Sequence, residues 1–355
     1  MAALMTQERT GPQDARLGKG PVRAWLLAVA GLVISMIVVG GATRLTDSGL
    51  SITEWEPILG AIPPLSGADW QEAFAKYKAI PEYHLVNKGM SLEEFKLIYW
   101  WEWGHRFLGR FIGAAFALPL GLFWLMGALR PGMGKKLLAV LALGGLQGGI
   151  GWFMVQSGLV DRVDVSQYRL ALHLSVAFLI LGLLLWLAFD LAPRERQTPA
   201  LTAGQRGLAA IIVVLVFVQV ALGALVAGLK AGLAYNTWPL MDGTLVPKGL
   251  GALEPWYLNL FENVTAVQFD HRLMAYILTG LALWQAWNFA RMADAGRARS
   301  SALLLAAAVL AQVTLGIWTL LSAVPLPLGL AHQAGAAIVF ALAVRHWHIV
   351  RRAAS

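Results

Sequence analysis

The chain contains eight apolar stretches, each long enough to cross a lipid bilayer as a helix. A helix needs ~20 apolar residues to span about 30 Å of hydrocarbon, and unbroken apolar runs exclude a porin-like barrel, whose strands alternate in polarity. Only 14% of the 355 residues are charged, against roughly a quarter in a soluble domain. The sequence therefore predicts an all-α integral membrane protein with eight transmembrane helices, at residues 24–43, 107–129, 137–156, 170–189, 208–229, 273–290, 302–322 and 328–344.

Lys and Arg residues concentrate at one side of these spans. The two chain ends and the three short connectors on that side carry 16 Lys and Arg residues and 5 acidic residues. Positive charge marks the cytoplasmic side of a membrane protein, so the net charge of +8 reflects topology and not binding to nucleic acid. Residues 1–20 lack the apolar core of a cleavable signal. We expect a multi-pass protein of the bacterial cytoplasmic (inner) membrane, with both termini in the cytoplasm and the lipid bilayer as its solvent.

The opposite, outward side carries two long segments, at about 44–104 and 230–270. The first has nine acidic residues against five basic ones. Two short amphipathic helices are predicted in it, at 67–79 and 91–103, because Ser66 and Ser91 are suitable helix caps. The segment therefore predicts a structured outer loop.

The two halves of the chain resemble each other. His105-Arg106 at the start of span two matches His271-Arg272 at the start of span six, and Gly41-Ala42 matches Gly223-Ala224. His173 in span four likewise matches His332 in span eight. We expect two tandem, parallel four-helix bundles, with these boundaries: a cytoplasmic tail at 1–23, an N-terminal unit at 24–190, a cytoplasmic linker at 191–206, a C-terminal unit at 207–348 and a tail at 349–355.

The four histidines of the repeat all lie near the outward ends of their helices. Ionisable side chains inside a membrane are costly and indicate a functional site; the alternative is a hydrogen bond to a neighbouring helix. Two imidazoles on facing helices can ligate one haem iron axially, whereas zinc requires three or four ligands, and the chain contains no cysteine. Haem sites are therefore predicted at His105 with His173, and at His271 with His332.

Several residues near these histidines are candidates for supporting roles. Arg44, Arg106 and Arg272 are placed to bind haem propionates, or else to anchor the helices at the membrane edge. Glu102 precedes His105 by three residues, and its counterpart in the second half is Gln268. A buried carboxylate can move protons, which predicts chemistry in the first unit; the alternative is an interfacial ion pair with Arg106 or Arg110.

The remaining polar and small residues allow plainer interpretations. Glycines of span three leave room for a macrocycle or serve close helix packing: Gly144, Gly145, Gly148 and Gly149. His84 is expected in the outer loop, and His346 and His348 in the basic cytoplasmic tail, where they would contact lipid headgroups.

Six short motifs together resemble the haem A synthase family, in the form shared by alphaproteobacteria and mitochondria. They are G-G-A-T-R-L-T at 40–46, S-G-L-S at 48–51, Y-W-W-E-W-G-H-R at 99–106, G-L-K-A-G at 228–232, N-T-W-P at 236–239 and A-H-Q at 331–333.

The resemblance implies an oxidoreductase that oxidises the C8 methyl group of haem O to a formyl group, giving haem A for cytochrome oxidase. It assigns a resident haem b to His271 and His332, and the substrate haem to His105 and His173, with Glu102 as the acidic residue beside it. It also implies haem O synthase and cytochrome oxidase assembly factors as partners. The outer-loop cysteine pair of some bacterial relatives has no counterpart here.

Two other functions fit the same histidines. A dihaem electron-transfer cytochrome would hold two permanent haems and would have no use for the difference between Glu102 and Gln268. A transporter built on a duplicated bundle would bind no haem at all. Pigment extraction separates the three possibilities.

Overall fold

The computed structural model describes residues 19–160, 162–193, 201–292 and 295–352. These ranges fold into α-helices joined by turns and short 3-10 segments, without a β-strand, which confirms the all-α class. The helices are α1 (Lys19–Leu45), α2 (Gly67–Lys78), α3 (Pro81–Leu85), α4 (Leu92–Leu125), α5 (Met133–Leu159), α6 (Gln167–Asp190), α7 (Ala203–Gly228), α8 (Val264–Ala290), α9 (Gly296–Leu321) and α10 (Leu326–Arg352).

Seven of the long helices in the described ranges are apolar enough to cross a membrane: α1, α4, α5, α6, α7, α9 and α10. The eighth long helix, α8, has 27 residues, but polar residues such as Gln285 and Asn288 dilute its apolar run. The structure thus supports a multi-pass membrane protein.

The long helices contact one another in two closed rings. In the first, α1, α4, α5 and α6 each contact the next, and α6 returns to α1; in the second, α7, α8, α9 and α10 do the same. The rings meet where α1 contacts α10 and where α6 contacts α7 and α10. Phe178 of α6 and Phe340 of α10 pack edge to face at 5.3 Å there. The largest buried apolar cluster of the described residues runs through this junction.

Within the described ranges, the two longest connections between membrane helices, at 46–91 and 229–263, lie at one end of the helices, which we call the loop side. Ser66 caps α2 with a full capping box, as predicted. Ser91 caps α4 in the same way, but the predicted short helix at 91–103 is wrong, because α4 continues for 34 residues to Leu125. The single Gly104 costs a helix only about 1 kcal/mol, too little to end it. Aromatic residues then pack α2 against α4: Phe74, Tyr77, Phe95 and Tyr99.

The prediction for His346 and His348 is wrong. Both lie inside α10 and are buried. Ser301 and Gln285 contact the ring nitrogens of His346 at 2.8 and 3.1 Å. His348 Nε2 lies 3.0 Å from Asp190 Oδ1. The helix continues past its most apolar part, so neighbouring helices cover these rings and lipid headgroups do not. The tail predicted at 349–355 is therefore helical as far as Arg352, the last described residue.

Two predicted segments fall partly outside the described residues. Of the N-terminal tail, only the part from Lys19 is described, and it already belongs to α1. In the linker at 191–206, residues 194–200 are outside the described ranges, and α7 begins at Ala203.

Candidate functional site

Each of the four repeat histidines lies against a glycine of a neighbouring helix. A Cβ atom at Gly40 would lie 3.0 Å from His105 Nε2, and one at Gly223 would lie 3.2 Å from His271 Cε1. Because the rings occupy the space of the missing side chain, only glycine permits these positions. Pairing by contact therefore equates Gly40, not Gly41, with Gly223, which corrects the sequence alignment of the halves by one residue.

The other two histidines repeat this arrangement more tightly. A Cβ atom would lie 2.9 Å from His173 Cε1 at Gly151, and 2.7 Å from His332 Cε1 at Gly316. Gly41 has a different role, since a Cβ atom there would overlap the side chain of Gln333. Each imidazole is thus fixed at one face by the backbone of the next helix.

A glutamine one helical turn before the glycine holds three of the four histidines. Gln147, Gln219 and Gln312 donate Nε2–H to the backbone carbonyls of His173, His271 and His332, at 2.9, 3.0 and 2.8 Å respectively. The same amide nitrogens lie beside the imidazoles. The sequence carried this signal as Gln-x-x-x-Gly in α5, α7 and α9, and our sequence analysis missed it. Met36 stands one turn before Gly40, so His105 has no such amide.

The four histidines divide between the two rings. His105 and His173 lie against glycines of α1 and α5 in the first ring, and His271 and His332 lie against glycines of α7 and α9 in the second; that each two ligate one iron stays a prediction. All four side chains are half-buried, whereas His84 is exposed. Among the described residues no three His, Cys, Asp or Glu side chains come together as a metal site. The arrangement suits a metal that takes two protein ligands, as haem iron does, and gives no support to zinc.

Glu102 is buried beside the first pair and accepts four hydrogen bonds. Its Oε2 accepts from Ser51 Oγ and from the backbone N–H of Ile52, both at 2.7 Å. Its Oε1 accepts from Nε and Nη2 of Arg106, at 3.1 and 2.7 Å. The ion pair with Arg106 that we considered is present, but it is not an exposed interfacial pair, since Glu102 is 2% exposed.

Gln268 occupies the matching place in the second half with different partners. It is also 2% exposed, and its Nε2 donates to the carbonyl of Tyr235 at 3.2 Å. Its Oε1 is buried and has no hydrogen-bond partner. The residue matching Ser51 is Ala234. The two halves therefore differ at two linked positions. The first half has the carboxylate of Glu102 with the hydroxyl of Ser51, and the second has the amide of Gln268 with the methyl group of Ala234.

The two arginines that follow the histidines bind the loop that leaves the preceding helix of each ring. Arg106 donates to the carbonyls of Ile52 and Glu54 at 2.7 and 2.9 Å. Arg272 donates to the carbonyls of Tyr235 and Thr237, at the same repeat positions, at 2.8 and 2.9 Å. Arg106 thus uses most of its donors within the protein, whereas Nε of Arg272 is buried without a hydrogen-bond partner. Binding of propionates by Arg106 and Arg272 stays a prediction.

Arg44 takes part in an ion-pair cluster that joins the two rings. It lies 3.1 Å from Asp47 and 3.4 Å from Asp164. Lys230, just after α7, lies 3.7 Å from Asp47 and 3.1 Å from Asp164. Arg44 also donates to the carbonyl of Ala227 at 3.5 Å. The structure shows Arg44 as a link between the halves, and its predicted contact with a propionate remains untested.

The four glycines of α5 face open space. A Cβ atom at Gly144, Gly145, Gly148 or Gly149 would meet nothing within 4 Å. They therefore do not serve close packing between helices of this chain. The matching residues of α9 are larger: Val309, Leu310, Val313 and Thr314. In the first ring the surface of α5 therefore has no side chains at these four positions, whereas the surface of α9 in the second ring does.

The loop side also holds a buried acid that the sequence analysis did not single out. Glu82 of α3 is 3% exposed and accepts a hydrogen bond from the Tyr77 hydroxyl at 3.3 Å. Burial raises the pKa of Glu82 to about 8, and the bond from Tyr77 partly opposes this rise. The carboxyl group is therefore neutral over much of the physiological pH range.

The sequence matches one family along most of its length. The family model COX15-CtaA, described as cytochrome oxidase assembly protein, matches residues 23–344. A haem A synthase of Chelativorans sp. is 55% identical over 339 residues, which cover 96% of this chain and 93% of that protein. Those of Parvibaculum lavamentivorans and Agrobacterium fabrum are 53% and 51% identical, covering 93% and 98% of this chain and 93% and 92% of their own lengths.

Proposed function

The chain belongs to the COX15-CtaA family, and from that premise we propose how its two halves divide one reaction. The protein is a membrane oxidoreductase that converts haem O to haem A. The two haems differ by one substituent, a methyl group in haem O and a formyl group in haem A. Two successive hydroxylations of that methyl carbon, each a two-electron oxidation by an external oxidant, give a geminal diol, which loses water to the aldehyde.

We propose eight transmembrane helices in two tandem, parallel four-helix units, with both termini in the cytoplasm of a bacterium and the loop side facing outward. The support is the pair of closed helix rings, in which α8 packs between α7 and α9 as α4 packs between α1 and α5. Reporter fusions after Arg130 and Arg297 should report cytoplasm, and fusions within 60–95 the outer side. An outward report after Arg130 or Arg297 would contradict the topology.

The second unit is proposed to hold a resident haem b between His271 and His332. The support is the fit of the residues: two half-buried imidazoles, each fixed by a glycine and by the amide of Gln219 or Gln312. When bound, a haem with two imidazole ligands supplies electrons one at a time. The protein's own part is to hold both rings at a fixed distance in an apolar site.

The first unit is proposed to bind the substrate haem between His105 and His173. The observation that carries this assignment is the pair of linked differences, Glu102 with Ser51 against Gln268 with Ala234. A resident haem gains nothing from a carboxylate beside it, whereas a carboxylate can stabilise positive charge that develops when a methyl group is oxidised. The open glycine wall of α5 supports the same choice, because a substrate that enters and leaves needs free space next to His173.

Glu102 is proposed to act as a fixed negative charge at the substrate methyl group. All four of its hydrogen bonds are ones that it accepts, two of them from the guanidinium of Arg106, and hydrogen bonds of this kind stabilise a carboxylate charge. Preorganised charge stabilises charge that develops in a transition state. Here it would stabilise positive charge at the methyl carbon, three residues along α4 from His105.

Pigment analysis tests the assignment against its two rivals. The purified protein should yield haem b together with haem O, haem A or the hydroxylated intermediate, separated by chromatography after extraction. His105→Ala should lose the farnesylated haems and keep haem b. Two equivalents of haem b without any farnesylated haem would indicate an electron-transfer cytochrome, and no pigment would indicate a transporter.

Partners are proposed from the same family assignment. Haem O is the substrate, and we propose that it comes from a haem O synthase in the same membrane and that haem A passes to cytochrome oxidase assembly factors. The support is the family description, cytochrome oxidase assembly protein. Co-purification with a tagged haem O synthase from native membranes tests the first contact.

A further inference from the structure

The segment at 57–65, between α1 and α2, exposes more apolar surface than a water-facing loop normally does. Ile58, Leu59, Ile62 and Leu65 are 81%, 73%, 64% and 78% exposed. Contiguous exposed apolar side chains indicate an interaction surface. The part of α4 that lies beside the segment shows the depth of the segment relative to the membrane.

The chain descends along α4 before it reaches this segment. Arg106 of α4 binds the carbonyls of Ile52 and Glu54. Arg110, one turn further toward the cytoplasmic end, binds the carbonyls of Glu56 and Pro57 at 2.7 and 2.8 Å. Each step of four residues moves about 6 Å along a helix. The segment therefore lies beside the part of α4 that follows His105, where α4 has entered the apolar layer.

Part of the segment's backbone is hydrogen-bonded within the protein. Irregular backbone at membrane depth requires its polar groups to be satisfied. Arg110 caps two carbonyls, and three internal bonds close the turn: Gly60 N–H to Glu56, Ala61 N–H to Ile58 and Ile62 N–H to Leu59, at 3.2, 3.2 and 3.0 Å. A Cβ atom at Gly60 would lie 2.9 Å from Arg110 Nη2, so the turn sits directly on the guanidinium.

The two sides of the segment differ in polarity. The inner side borders a cavity of about 300 Å³ whose lining includes Glu54, Arg106 and Arg110. On α4, the two aromatic residues nearest to Arg110 in sequence, Phe107 and Phe111, are 44% and 50% exposed. The residue that binds the segment is thus flanked by exposed apolar side chains of a helix that can cross a membrane.

The second unit shows a similar anchor at the matching position. Tyr276 corresponds to Arg110, and its hydroxyl accepts a hydrogen bond from Trp238 Nε1 at 3.0 Å. Leu245 and Val246, further along the same loop, are 77% and 63% exposed. Trp and Tyr favour the membrane interface, so both loops have an anchor at the same depth.

We propose that residues 57–65 insert into the outer leaflet, where Ile58, Leu59 and Leu65 contact lipid acyl chains, while Ile62 borders the cavity. The segment is an interfacial hairpin of the first unit, held at its depth by Arg110. The bilayer is the occupant, and not a second copy or another protein, because Arg110 lies on a helix that is long and apolar enough to cross a membrane, between the exposed Phe107 and Phe111.

The absence of native cysteine makes the test direct. Ile58→Cys and Leu59→Cys, each labelled with a nitroxide, are reconstituted in phosphatidylcholine and phosphatidylglycerol vesicles at low protein density. Leu118→Cys in α4 is the lipid-facing control, and Lys88→Cys in the outer loop is the water-facing control; both residues are exposed. Gel filtration confirms that each variant remains folded before labelling.

Collision with oxygen reports lipid, and collision with a water-soluble nickel chelate reports water. We expect the labels at 58 and 59 to behave like the label at 118, with oxygen accessibility above nickel accessibility, and the label at 88 to show the reverse. Water-like values at 58 and 59 would overturn the proposal. Low accessibility to both reagents, with spin–spin broadening, would instead show contact with a second copy and would also overturn it.

Discussion

Replacing Ser51 by Ala should remove one hydrogen bond to Glu102 and lower the free energy of unfolding. The Ser51 hydroxyl donates to Glu102 Oε2 at 2.7 Å, and both residues are 2% exposed. A hydrogen bond to a charged group contributes about 1.5–3 kcal/mol. We therefore expect Ser51→Ala to lower the free energy of unfolding by about 2 kcal/mol, which is roughly a 30-fold change in the unfolding equilibrium.

A double-mutant cycle isolates this interaction from other effects of the substitutions. In the Glu102→Gln background the charge-assisted bond is already lost, so Ser51→Ala should cost less than 1 kcal/mol. The double variant carries in the first unit the combination that Gln268 and Ala234 form in the second. The expected coupling energy between the two residues is therefore at least about 1 kcal/mol.

The free energies are measured by denaturing the purified protein in mixed micelles, with intrinsic tryptophan fluorescence as the signal. Ser48→Ala is the matched control: Ser48 is buried in the same turn but bonds to Thr46, so its effect should be unchanged by Glu102→Gln. Additive effects of Ser51→Ala and Glu102→Gln, within about 0.5 kcal/mol, would refute the reasoning and make Ser51 an ordinary buried hydroxyl.

Three further predictions follow from the sites. His271→Ala or His332→Ala should abolish the six-coordinate b-type absorption spectrum, and a variant that retains it would disprove the ligand pair. Glu102→Gln should keep that spectrum but lower haem A formation by about a hundredfold, the usual loss when one preorganised electrostatic group is removed, measured by chromatography of extracted haems; near-normal haem A would contradict the role of the charge. Glu82, whose pKa is about 8 against an ordinary 4.5, binds its proton more tightly when folded, so thermal stability should fall as the pH rises from 4.5 to 8. Glu82→Gln should remove that slope in melting scans at pH 5 and 8, and an unchanged slope would show that Glu82 is not its source.

The sequence was sufficient for features that depend on local composition. Apolar runs of about 20 residues form helices in a membrane whatever their neighbours, and a serine before an acidic turn caps a helix, so α2 and the long helices were predictable. The histidine pairs were predicted because the same two histidine positions recur in both halves of the internal repeat. The predicted helix start at Ser91 was correct, but the predicted length was not. No local sequence pattern indicated that the helix predicted at 91–103 continues into the span predicted at 107–129.

The features that the sequence did not reveal depend on contacts between distant residues. His346 was placed in a tail because the hydropathy falls there, but Ser301 of another helix makes it part of the core. Nothing in the sequence distinguishes Gly40 from Gly41. Only the structure shows that the ring of His105 packs against Gly40. The sequence did not reveal the partners of Arg106 and Arg272, because these arginines bind backbone carbonyls. A pattern of side chains along the sequence does not show such acceptors.

The contact between Asp47 and Lys230 carries a consequence for how such a protein can arise. The two residues hold the same place in the internal repeat and both have left-handed backbone conformations, with φ of 47° and 51°. In a dimer of identical subunits, a residue on the symmetry axis faces itself, so two aspartates or two lysines would meet there and repel. A single chain can place opposite charges at the two repeat positions, as Asp47 and Lys230 show. Each half of the repeat then pairs better with the other half than it would with a copy of itself.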